Sequence, residues 1–322
     1  MRKLFIIVAT AACLTLLFSL IASADVQQLF VADRANNAIH KYDAATGAYL
    51  GEFQRVSQLS QPMGMAVGSD GLLYVTSSGN NRIVRFNIAT GMFVDVFATI
   101  QSGLNLPDSL AFGSDGKLYV SNYNKILRFN IATGAHEVFI RDSGPYPATG
   151  LRYPRGIVAD QNGSLYASSA CSSYPVYRYD IATGNQMETY PEQAHQEPWE
   201  LSSPGRIALA PDGNLYATSM NSDVFRYDPI QKQFVNIAGM GETGLASIAF
   251  SATGSMYFVR DGSHEVFLFN SVAGRFDQFS TGDILRSPSS ILVATVPEPT
   301  GMAALVCGLA GFAPTLMRRR KH

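Results

Sequence analysis

Cysteine is almost absent from this chain. Cys13 and Cys307 fall in apolar end segments, so Cys171 stands alone in the body and no intramolecular disulfide can staple it. Charge is also scarce, at 15% of 322 residues against 47% hydrophobic, and that balance excludes a disordered chain. Six of the 24 basic residues lie at the ends, which leaves 18 basic against 24 acidic side chains over residues 25–296. A mildly acidic body is repelled by polyphosphate, so nucleic acid is not an expected partner. No Gly-x-Ser-x-Gly elbow, His-Glu-x-x-His pair or phosphate loop occurs.

The two ends read as addresses. Arg2 and Lys3, the uncharged run Leu4–Ile21 and the Ala22-Ser23-Ala24 site stand in secretory-signal order, so residues 1–24 are expected to be a cleaved signal peptide. A lipoprotein site at Cys13 or an uncleaved anchor are the alternatives. At the other end Pro297-Glu298-Pro299 precedes an apolar segment, 301–317, and then Arg318, Arg319, Arg320 and Lys321. That length is the short limit for a membrane span, and the basic cluster would stay cytoplasmic. Residues 296–322 resemble the PEP-CTERM sorting signal of Gram-negative bacteria. The resemblance implies an exosortase-type membrane enzyme as partner, transient anchoring in the inner membrane, cleavage near Pro297–Pro299, and delivery to the cell surface or extracellular matrix. Such proteins often accompany exopolysaccharide.

Between the ends a unit recurs six times. Its most visible row centres on Phe30, Tyr74, Tyr119, Tyr166, Tyr216 and Tyr257, at intervals of 44, 45, 47, 50 and 41 residues. Each interval holds four short alternating or β-branched runs and no sustained 3.6-residue period, which is a propeller blade. In the second unit the strands are expected at Gly64–Val67, Leu72–Ser77, Arg82–Asn87 and Met92–Phe97. The Asp70-Gly71 hairpin and the Asn87–Gly91 turn recur in later units. The Asp-rich turns lack the further carboxylates of a calcium loop.

The first unit, Leu29–Phe53, lacks an inner strand. Pro288–Val293 matches Pro62–Val67 and has no unit of its own, so the C-terminal strand is expected to complete the first blade and close the ring. The expected fold is therefore all-β, a single six-bladed β-propeller over 25–295. The runs Asp33–Ile39 and Ser78–Val84 are similar to the Asn-Asn-Arg-Ile element of NHL repeats. The body as a whole resembles the NHL, gluconolactonase and streptogramin-lyase group of propellers.

Function is sought on the face formed by the loops between second and third strands and by the inter-blade connections, since the opposite hairpins are short and repetitive. Its longest segments are 141–153, with Tyr146, and 191–203, with His195 and Trp199. Asp108, Arg155 and Arg206 stand near the starts of inner strands, and Asn122, Arg260 and His264 are expected around the same mouth. Aromatic rings and amide, carboxylate and guanidinium groups suit sugar rings. The rings would equally serve to cover the fourth blade. The expected function is a non-catalytic binding or scaffold module, with exopolysaccharide as the expected ligand and no cofactor. The alternative, implied by the resemblance, is a lactonase, hydrolase or lyase with a divalent cation such as calcium at the channel mouth. The Glu-Gly-Pro that opens such a metal set is absent, and Asp108 with Asn122 does not complete one.

Overall fold

The computed structural model describes residues 26–141, 151–170, 176–190, 201, 204–219, 221–239, 246–280 and 284–297. The chain divides into two compact units. One is Gln27–Ala294; the other is Met1–Val26 with Thr295–His322, of which Val26 and residues 295–297 are described. The expected signal peptide, the span 301–317, Glu298, Pro299 and the terminal arginines lie outside the described residues. Among the described residues no helix is long and apolar enough to cross a membrane.

Six four-stranded sheets make an all-β, six-bladed propeller. Blade 1 takes Pro288–Val296 as its inner strand, followed by Val26–Asp33, Ala38–Asp43 and Tyr49–Gln54. Blade 2 is Pro62–Val67, Leu72–Ser77, Arg82–Asn87 and Phe93–Ala98. Blade 3 is Pro107–Phe112, Leu118–Asn122, Lys125–Phe129 and His136–Arg141. Blade 4 is Pro154–Ala159, Ser164–Ser169, Val176–Asp180 and Gln186–Tyr190. Blade 5 is Ile207–Leu209, Leu215–Thr218, Asp223–Asp228 and Gln233–Gly239, and blade 6 is Ala246–Phe250, Met256–Arg260, Phe267–Asn270 and Arg275–Gln278. The closing strand is the one expected from its match to blade 2.

Second strands are buried on both sides by neighbouring blades, so they read as continuous apolar runs: Leu73, Tyr74 and Val75 are all fully buried. Inner strands converge on the axis and are built of small residues instead. They enclose a channel of about 370 Å³ lined in part by Gly64, Ala66, Ala111, Ala159, Ala208 and Ala249.

The inner strand of blade 2 begins at Pro62, two residues before the expected Gly64, and those of blades 3 and 4 likewise begin on a proline, Pro107 and Pro154, because Pro is tolerated where no ladder bond is needed. Just after each proline the register with the second strand shifts. Such a bulge frees a backbone N–H, and a hydroxyl from the second strand takes it. Gly64 N donates to Thr76 Oγ1 at 2.7 Å, Ser109 N to Ser121 Oγ at 2.8 Å, and Gly156 N to Ser168 Oγ at 2.8 Å. Each hydroxyl then donates onward to the next blade: Thr76 to Asp108 O, Ser121 to Arg155 O and Ser168 to Gly205 O, at 2.8–2.9 Å. One buried oxygen thus satisfies a bulge and fastens a blade to its neighbour. Ser121→Ala leaves both groups unpaired and is expected to cost about 1–3 kcal/mol in urea unfolding, whereas Ser121→Thr should retain most of it.

The turns between third and fourth strands are held by their first residue. Asp43 Oδ1 accepts from Ala45 N and Thr46 N, and Asn130, Asp228 and Asn270 do the same in their blades. The Thr46 hydroxyl holds the Asp43 carboxyl below its ordinary range. These oxygens are committed to backbone amides, which agrees with the structural role expected of the Asp-rich turns.

Candidate functional site

Arg206 dominates the loop end of the channel. It occupies a bulge position that is Gly64, Ser109 and Gly156 in blades 2 to 4, as its N–H donating to Thr218 Oγ1 at 3.0 Å shows. Among those small neighbours its long side chain has room to cross the axis. Its Nη2 donates to Met63 O of blade 2 at 3.2 Å and lies 2.6 Å from Asp108 Oδ1 of blade 3. Asp108 Oδ1 accepts no well-aligned hydrogen bond and Arg206 Nη1 donates none, although both atoms are buried. This leaves a charged pair with unused hydrogen-bonding capacity at the mouth.

The other expected residues are arranged less closely. Arg155 and Arg260 are half-buried on blades 4 and 6. His264 is exposed, with Nδ1 2.6 Å from Leu285 O. Tyr146 and Trp199 lie outside the described residues. Asn122 corrects the expectation that it surrounds the mouth: it is fully buried, accepting from Asn105 N at 2.5 Å and donating to Gly103 O at 3.1 Å. It ends its strand at the place where Ser77 and Ser169 clamp the connection that precedes their own blades. Of the expected set, the structure brings Asp108 and Arg206 into contact. Among the described residues no three His, Cys, Asp or Glu side chains gather as metal ligands would.

A second feature lies on the loops that follow the second strands. In blades 1 and 2 an Asn of the loop after the second strand reaches the residue before the next blade's proline. Asn37 Oδ1 accepts from Gln61 N and Asn81 Oδ1 from Leu106 N, both at 2.7 Å. Both asparagines are left-handed, a conformation that Asn tolerates well. Blade 3 replaces this loop with the two-residue turn Tyr123-Asn124. Here Tyr123 is left-handed, with φ 41°, and the link to the next blade is a ring contact: Tyr123 and Tyr153 meet edge-to-face at 5.3 Å. Tyr123 is 45% exposed, and the Arg152 guanidinium lies 5.5 Å from the Tyr153 ring. A bulky residue held in an uncommon conformation with its ring exposed is a local departure from the repeat, and such strain concentrates at functional places.

Residues 59–86, most of blade 2, match the model of the NHL repeat. Within the propeller, this segment is thus similar to an NHL repeat. Peptidyl-glycine alpha-amidating monooxygenase B of Xenopus laevis is 26% identical over 127 residues, 37% of this chain and 14% of that protein. The chain thus matches about a seventh of that relative's length. Among solved structures, the crystal structure of a nidogen/laminin complex contains a chain that superposes with a TM-score of 0.67. The identity is 15%, and the match covers 85% of this chain and all of that one. At that identity the likeness speaks for the fold alone.

Proposed function

We propose that this protein is an exported, non-catalytic binding module whose loop face takes acidic exopolysaccharide. The observation that carries the reading is the exposed Tyr123–Tyr153 pair, where blade 3 has rings beside a guanidinium in place of the asparagine clamp of blades 1 and 2. Tyrosine rings pack against the C–H faces of sugars, and the half-buried Arg152, Arg155 and Arg260 on the same face suit carboxylates along the polymer. Export follows from the signal-like start and the PEP-CTERM-like tail, with an exosortase-type enzyme releasing the protein from the inner membrane to the cell surface or matrix.

The test is calorimetric titration of the purified protein with alginate and with neutral dextran. Alginate binding that weakens with salt is expected, with dextran much weaker. Tyr123→Ala should lower alginate affinity about tenfold, roughly 1.4 kcal/mol. Binding unaffected by Tyr123→Ala would remove the reading. Turnover of a lactone that needs a divalent ion and disappears in Asp108→Ala would replace it with the lactonase or lyase alternative.

A further inference from the structure

On the hairpin face, opposite the mouth, the blades repeat a second constellation. Arg85, Arg128 and Arg178 stand on the third strands of blades 2, 3 and 4, in register with Asp95, Glu137 and Glu188 on the fourth strands. The pairs close at 2.5, 2.6 and 3.2 Å. Two residues beyond each carboxylate the fourth strand supplies a ring: Phe97, Phe139 or Tyr190. Arg85 lies 5.0 Å from the Phe97 centroid and Arg128 4.8 Å from that of Phe139. Each of these two guanidinium groups therefore has both a carboxylate clamp and an aromatic shelf from one strand.

Blade 5 keeps the arginine and loses both supports. Arg226 is in register with Val235, and Ile237 stands where the ring would be. Its three counterparts are half-buried, whereas Arg226 is exposed and takes part in none of the described ion pairs. The hairpin carboxylate Asp212 also lines the groove here, but it forms none of the described ion pairs and accepts from Asn214 N at 3.0 Å and Asn214 Nδ2 at 2.7 Å, so the neighbour Arg226 has is the neutral Tyr216 hydroxyl. The space vacated is part of a groove of about 730 Å³ between blades 5 and 6, lined by Arg226, Tyr216, Ile237, Phe250, Leu268 and Phe269. Leu268 contributes to its width, since it stands on the third strand of blade 6, in register with Asp277, where blades 2 to 5 carry the arginine.

We propose that this groove binds a small aromatic carboxylate, whose anionic group pairs with Arg226 and whose ring lies on the apolar floor. The other blades define the ligand: what blade 5 lacks is one carboxylate and one aromatic ring joined at short range, and a groove of this volume holds a molecule of that size. The site is on the opposite face from the Tyr123–Tyr153 pair, so it stands or falls independently of polysaccharide binding.

The experiment titrates the purified full-length protein with phenylacetate, with phenylacetamide and acetate as controls, following ligand-observed NMR and calorimetry. Phenylacetate should bind, and both controls should bind at least about tenfold more weakly, the loss expected when either the charge-assisted pair or the ring burial is missing. Arg226→Ala should remove phenylacetate binding without lowering the melting temperature. The double change Val235→Glu with Ile237→Phe rebuilds the pattern of blades 2 and 3, so it should fold, occupy Arg226 from within and abolish binding. Absence of phenylacetate binding, equal binding of phenylacetamide, or undiminished binding in Arg226→Ala would each overturn the proposal. Should the double variant not fold, Arg226→Ala decides.

Discussion

Replacing Asp33 by Ala is expected to destabilise the propeller by about 3–5 kcal/mol, a large share of the 5–15 kcal/mol that folded domains possess. Asp33 ends the second strand of blade 1 and is fully buried. Its Oδ2 accepts from Arg286 N at 2.8 Å and Asn36 Nδ2 at 2.8 Å, and its Oδ1 from Ser287 N at 3.1 Å and Asn36 N at 3.2 Å. Residues 286 and 287 lead directly into the closing strand Pro288–Val296, so this carboxylate ties the two ends of the ring together. Removing it leaves four N–H groups without their acceptor, the buried Ser287 N among them, and unties the chain leading into the closing strand. His40 offers no substitute: burial pushes its imidazole pKa down, against the pull of Asp33, and its Nε2 is 3.8 Å from Asp33 Oδ2. Thermal unfolding of Asp33→Ala beside Asp43→Ala checks the argument. Asp43 belongs to an exposed turn and should cost about 1 kcal/mol or less. Equal melting temperatures for the two variants would show that closure does not depend on Asp33.

Much of this architecture is legible in the sequence because propeller blades impose a period. The row from Phe30 to Tyr257 marks strands buried on both faces, and a strand that faces neighbours on either side is apolar along most of its length, with hydroxyl, amide or carboxylate groups near the loop end where backbone groups need partners. The unmatched Pro288–Val293 segment likewise had one place to go. The sites are harder to read, since each depends on where a single side chain turns. Asn122 and Tyr123 are adjacent, yet one closes over its own connection and the other points its ring outward, a choice made by the shortened turn after Asn122. Arg206 is read as a rim residue, but its reach across the axis depends on the small residues at equivalent positions of other blades. The lack of a carboxylate beside Arg226 is visible only once the register of the fourth strand pairs it with Val235, and the pairing shifts opposite Val224 and Phe225, where Ile237 of the fourth strand is the extra residue that no alternation reveals.

Gly64→Ala is expected to cost about 3 kcal/mol, although the change adds one methyl group and the backbone there is extended. Inner strands run so close together near the bulge that a Cβ on Gly64 would lie 2.6 Å from Asp108 O and 2.9 Å from Ser109 Cα. Both obstacles are backbone atoms of blade 3, held by the Thr76 hydroxyl at one side and the ladder at the other, so neither can yield like the end of a flexible side chain. Gly156 faces the same limit against blade 5, with Ile207 N at 2.7 Å and Arg206 Cα at 3.0 Å. Gly116 is the natural control, for it has φ 71° and nothing within 4 Å of the added carbon. Gly116→Ala suffers left-handed strain alone and should lose about 1 kcal/mol. At roughly 2 °C per kcal/mol for a domain of this size, Gly64→Ala should melt about 6 °C below the parent and Gly116→Ala about 2 °C below it. The reverse order would mean that turn conformation, rather than the close approach of inner strands, limits how the blades fit around the axis. Because Gly64 carries the N–H that Thr76 Oγ1 accepts, a blade pushed outward by the methyl group also loosens that bond and the onward bond to Asp108 O. Combining Gly64→Ala with Thr76→Val should then cost less than the two changes summed, a coupling that thermal melts of the four-member cycle would measure.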